Sequence, residues 1–107
     1  MRGVNITTWA AVPNGNQGLP QNCASYNDKC VQVSGTLGVG GSVNIEGSND
    51  ATNWVILHDP AGAALTLTAV PALKEILENP VYIRPNVTAG DGTTAFTVIL
   101  AQRSGFI

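Results

Sequence analysis

Charge is what this 107-residue chain has least of. Five Lys and Arg and seven Asp and Glu make up 11% of it, against about 25% in a typical soluble domain. The net charge is −2, and the cations are scattered from Arg2 to Arg103 rather than clustered. A phosphate backbone is gripped by clustered Lys and Arg, so nucleic acid is not an expected partner. Long apolar runs are missing too: none approaches the roughly 18–20 residues that span a bilayer, so no membrane partner is expected. Met1-Arg2-Gly3-Val4-Asn5-Ile6 alternates polar and apolar and lacks the apolar core of a signal peptide. The chain is therefore expected to stay in the cytoplasm that translates it.

One histidine and two cysteines leave little material for metal or acid–base chemistry. A zinc site takes about four ligands, more than Cys23, Cys30 and His58 supply. A reducing cytoplasm favours free thiols; a disulfide closing the loop Ala24 to Lys29 outside the cell is the alternative. His58-Asp59 is the one adjacent pair that suggests proton transfer. Neighbours on a strand point to opposite faces, and no Gly-x-Ser-x-Gly elbow accompanies the pair. Gly35-Thr36-Leu37-Gly38-Val39-Gly40-Gly41-Ser42 imitates a phosphate loop. However, Gly41 stands where the Lys must be, and a strand follows where a helix N-terminus is needed. Asn49, Asp50, Asn53 and Asp59 could offer oxygens to calcium, but their spacing is not that of a calcium loop, and turns that bond to themselves account for them. No catalytic residue, metal site or cofactor is expected.

What is abundant is alternation broken by turn residues. Val4 to Val12 reads as a strand with Val4, Ile6, Thr8, Ala10 and Val12 on one face and Trp9 on the other. Pro13 to Asp28 is a polar stretch long enough to suggest a job of its own. Further strands are predicted over 29–37, 42–47, 54–58, 64–68, 81–87 and 94–102, with Pro85 marking an edge or a bulge. Pro71 to Glu78 reads as a two-turn helix, with Leu73, Ile76 and Leu77 on one side and Asn79-Pro80 stopping it. The fold class is thus all-β: a single-domain sandwich over residues 1–107, jelly-roll-like, with seven to eight strands and one short helix. Its core is predicted to hold Val33, Val43, Ile45, Trp54, Ile56, Leu65, Leu67, Ile83, Val98 and Leu100. The last strand, Phe96-Thr97-Val98-Ile99-Leu100-Ala101, is apolar on both faces, as a central strand or one covered by another subunit would be.

Gly47-Ser48-Asn49-Asp50-Ala51-Thr52-Asn53-Trp54 is a hairpin tip between two apolar stretches. Between Val31 and Arg103 it follows Val33-Ser34-Gly35-Thr36 and precedes Asp59 with Gly62, Glu78-Asn79-Pro80, Ile83-Arg84-Pro85 and the apolar final strand. In this order the chain resembles the small decoration, or cement, proteins of tailed bacteriophages. The resemblance implies a jelly-roll-like virion subunit without catalysis. Such a subunit binds the capsid exterior, stabilises joints between major capsid proteins and oligomerises, a dimer being favoured over a trimer. Assembly would take place in the bacterial host cytoplasm. Low charge, the doubly apolar last strand and the apolar tail point to sticky surface. Trp9, Tyr26, Arg103, Phe106 and Ile107 are accordingly the expected interface residues, and residues 1–30, a strand plus a long loop, the expected interaction segment.

A rival comes from Trp9, Tyr26, Trp54 and Tyr82. Sugar-binding sandwiches expose aromatics beside polar turns, and a turn followed by Asn-Trp also occurs in discoidin-like carbohydrate-binding modules. The alternative function is therefore a carbohydrate-binding module of a phage tail or fibre. Trp54 opens an apolar strand and is expected inside, whereas Trp9 lies opposite the apolar face of its strand.

Overall fold

A computed structural model describes residues 3–104. Among these there are nine strands and no helix: β1 (Val4–Pro13), β2 (Gln21–Asn22), β3 (Asp28–Thr36), β4 (Ser42–Ser48), β5 (Val55–Ile56), β6 (Thr66–Leu67), β7 (Ala72–Glu75), β8 (Tyr82–Ala89) and β9 (Ala95–Arg103). They form two antiparallel sheets, one ordered β1-β9-β3-β7, the other β2-β8-β4-β5 with β6 also paired to β4. The all-β, sandwich-like class expected from the alternation is the class observed.

The core lies between the sheets. Val31 and Val33 of β3, Phe96, Val98 and Leu100 of β9, Val43 and Ile45 of β4, and Ile83 and Val87 of β8 are all essentially inaccessible to water. Each is one of an alternating set, so period-2 patterning delivers it inward. β9 is central in its sheet, flanked by β1 and β3; Phe96, Val98 and Leu100 face the core, while Ile99 and Ala101 lie half-buried on the outer face.

The expected helix is a strand. Ala72–Glu75 pairs with Cys30–Val33, and the amide of Ile76 continues the contact to the Lys29 carbonyl. A two-turn helix is marginal in water, while the free edge of β3 offers a ready row of hydrogen-bonding groups. Of the predicted helical stripe, only Ile76 is buried; Leu73 and Leu77 are exposed.

Both tryptophans sit opposite to expectation. Val55 faces Gly47 and Ile56 faces Glu46, so Leu57 enters the core while Trp54 and Ile56 lie half-buried on the outer side. A one-residue difference in register moves a whole set to the other face. On β1 the reverse occurs: Trp9 joins the core and Val4 and Ile6 are exposed. A bulge between Trp9 and Val12, with Ala11 at φ 52°, then returns Val12 to the inside.

The long polar stretch after β1 is held along β8. Gly15 and Gly18 donate to the carbonyls of Val87 and Pro85, Val87 donates to Asn16, and Cys23 donates to Val81. Pro85, which has no amide hydrogen, meets this loop on one side, and no full strand needs a ladder bond from it there. The loop is fastened across the core by Trp9, whose Nε1 donates to the Leu19 carbonyl at 2.8 Å.

Candidate functional site

Asp50 and Asp59, two of the residues considered for chemistry, accept hydrogen bonds from nearby backbone amides. Asp50 Oδ1 accepts from the amides of Thr52 and Asn53 and the hydroxyl of Ser48, and Oδ2 accepts from the Asn53 side chain. These bonds, the Asn53 amide first, hold the Asp50 carboxyl well below the usual range. Asp59 accepts from the amides of Ala61 and Ala63. His58 meets Glu78 instead of Asp59: its Nδ1 lies 2.6 Å from Oε2, and its amide donates to Oε1 at 2.8 Å. Among the described residues, no three His, Cys, Asp or Glu are grouped to hold a metal ion. Cys23 and Cys30 are free thiols. Cys23 is inside, where burial pushes its thiol up to about 11. Cys30 lies on the outer side of β3, in line with Ala101 and Glu75.

The glycine-rich link between β3 and β4 is tied to the β8–β9 turn. Asp91 accepts from the Val39 amide at 3.0 Å and from the Thr93 hydroxyl and amide at 2.7 and 2.9 Å. The Thr93 hydroxyl and then the Val39 amide hold its carboxyl down to about 2, from an ordinary 3.8. A lowered folded value means that the stabilisation is complete above the ordinary 3.8 and is lost as pH falls towards 2. Asp91→Asn is expected to flatten the dependence of the melting temperature on pH across that window. A variant with the wild-type slope would show that these bonds do not contribute.

Two outward sheet faces remain, and they differ in chemistry. On the β1-β9-β3-β7 sheet the registers align Thr8, Ile99, Gln32 and Leu73 in one row and Ile6, Ala101, Cys30 and Glu75 in the next, followed by Val4, Arg103 and Asp28. Val4, Ile6 and Leu73 are 58%, 64% and 65% exposed. Among the described residues of this face, charge is confined to the Asp28–Arg103 end and the Glu75 corner, leaving an uncharged band in which Ile6, Ile99, Ala101 and Leu73 lie with the exposed Thr8 and Gln32.

On the other sheet, β4 and β8 place Asn44, Glu46, Arg84 and Asn86 side by side. Glu46 accepts from Arg84 Nε at 3.0 Å and from Asn86 Nδ2 at 2.9 Å. The Arg84 guanidinium lies 4.2 Å from the centroid of the Trp54 ring. Thr66 donates to Asn44 at 2.8 Å.

Of the expected interface residues, Trp9 is in the core, Tyr26 is half-buried in the loop and Arg103 is exposed at the end of β9. Phe106 and Ile107 lie outside the described residues. Sequence reasoning did not single out Arg84 or Glu46 as functional. The available signal was that both occupy outward positions of alternating strands, a charge of each sign in a chain that has few.

No family model and no curated protein matches the chain. A solved structure does. The SPBc2 prophage-derived protein YomS superposes with a TM-score of 0.72 over 94% of this chain and 95% of its own, at 11% sequence identity. The two share a fold.

Proposed function

We propose that this protein is a non-enzymatic phage virion component that binds the outside of the capsid and stabilises contacts between major capsid proteins. The observation that carries the reading is the aliphatic, charge-poor outer face of the β1-β9-β3-β7 sheet. Exposed aliphatic residues gathered on one face mark an interaction site, whereas the same residues scattered singly do not. The depletion of charge fits an interface core. The prophage origin of a protein with this fold and the ordered decoration-protein motifs support the same setting.

Val4 and Ile6, with Ile99 and Leu73, form the centre of the docking surface. Arg103 borders it, and the Asn27 amide bonded to the Arg103 carbonyl brings the Tyr26 loop to the same end. Trp9 braces the contact strand from beneath. A shell presents one site many times, so symmetric placement follows, with the protein acting as a homo-oligomer, a dimer favoured over a trimer.

The test adds protein to shells that lack it. Wild type is expected to bind to saturation and raise the shell melting temperature. The double variant Ile6→Lys with Leu73→Lys should keep its own thermal transition, because both sites are exposed, yet bind more weakly by well over tenfold. A wild-type protein that ignores shells, or a virion copy number in single digits, would overturn the proposal.

A further inference from the structure

We infer that the outer face of the β2-β8-β4-β5 sheet is a binding platform for a neutral oligosaccharide, built from Trp54, Arg84, Asn86 and Asn44. The inference rests on this face alone and is independent of docking through the opposite sheet.

The first argument is charge. Arg84 and Glu46 are the ionised groups at the centre of the face, and they neutralise each other at 3.0 Å. Neither a phosphate nor a polyanion is drawn to such a pair, whereas an uncharged hydroxylated ligand meets no repulsion.

The second is preorganisation. Glu46 is 8% exposed and uses both oxygens, one on Arg84 and one on Asn86. The planar groups of Arg84 and Asn86 are therefore fixed before any ligand arrives, which lowers the ordering cost of binding. Hydrogen-bonding capacity is left over on the same side. The terminal nitrogens of Arg84, the amide nitrogen of Asn44 and the hydroxyl of Tyr82 have no hydrogen-bond partner among the described residues. Sugars are recognised by planar polar side chains of this kind, each reaching adjacent hydroxyls.

The third is the aromatic ring. Trp54 stays partly exposed while the Arg84 guanidinium braces one side of it at 4.2 Å. A rigid, amphipathic ring beside fixed donors suits the apolar C–H face of a pyranose. Among the described residues, Ile56 is the one large aliphatic beside Glu46 on this face and it is half-buried, so polar planar groups and one aromatic ring outweigh aliphatic surface here, which favours a sugar over a protein surface.

The experiment titrates the protein by calorimetry with malto-, cello- and N-acetylglucosamine oligomers, and with polygalacturonate as an acidic comparison. At least one neutral oligomer is expected to bind saturably. Trp54→Ala and Asn44→Ala should each weaken it by roughly tenfold while keeping a single cooperative thermal transition, lowered only by the contact each removes, and Ile6→Lys with Leu73→Lys should leave it unchanged. Trp54 fluorescence should shift on binding, since Trp9 is shielded in the core. The inference is overturned if no neutral oligomer binds, if only polygalacturonate does, or if Trp54→Ala leaves sugar affinity intact. It is equally overturned if Trp54→Ala abolishes attachment to shells in the absence of any sugar binding, which would make this face the protein contact.

Discussion

Trp9→Ala is expected to lower the unfolding free energy by about 3–5 kcal/mol, read from the midpoint of urea denaturation. The indole is 9% exposed and packs in the core cluster. Removing it loses the transfer energy of a large aromatic and leaves a cavity that a sandwich fixed by hydrogen-bonded sheets closes only in part. The Leu19 carbonyl also loses its 2.8 Å donor, one of the ties that hold the long loop, beside its backbone bonds to the β8 strand. A loss of this size is a large share of the 5–15 kcal/mol typical of a small domain. Trp9→Phe separates the two contributions. It keeps most of the packing and drops the bond, so roughly 0.5–1.5 kcal/mol of the effect should come from the bond itself, with some packing loss added. If Trp9→Ala instead keeps the wild-type midpoint and loses only capsid attachment, the indole is an interface residue and its place in the core is wrong.

Gly35→Ala should be comparably damaging. Gly35 has φ 106°, in the region L side chains rarely adopt, and a β-carbon there would lie 2.3 Å from the Ala95 carbonyl oxygen. Backbone strain alone costs about 1–3 kcal/mol. The contact adds to that, because the obstructing atom is main chain of β9 and cannot rotate away. Relief requires β3 and β9 to separate beside Phe96, one of the fully buried side chains. Gly40→Ala is the matched control. Its φ is 70°, but no atom lies within 4 Å of the added carbon, so it should show the strain without the clash. Equal urea midpoints for the two variants would contradict the steric account.

These two positions also show how far local pattern reaches. The Gly35–Ser42 stretch reads as a strand connection because it lacks the lysine and the helix of a phosphate loop. The structure supplies the positive reason for its glycines: at Gly35 two main chains approach too closely for a side chain. The local bonding of the turn at 48–53 was legible, since Asp50 and Ser48 bond to amides only two or three residues away, while the side on which Trp54 lies and the bond from the Val81 amide to Asn49 were not. The strands of Ser42–Ser48 and Ala95–Arg103 were legible because alternation is a property of consecutive residues.

The sequence by itself determined the poverty of charge, which is a matter of composition, and the all-β class, most of the strands and the tight turns, which depend on neighbours in the chain. Only the tertiary structure decided which side of each strand is inside. Alternation in Val4–Trp9 and Trp54–His58 is equally compatible with either face, and the choice was made by register with β9 and β4. The same holds for Ala72–Glu75, whose helical stripe lost to the unpaired edge of β3. It holds also for the Glu46–Arg84–Asn86 cluster, whose members are up to 40 positions apart and meet only because β4 and β8 pair in this register. Local pattern determines what a segment can form, and long-range pairing, which covers one face and leaves the other open, determines what it presents to a partner.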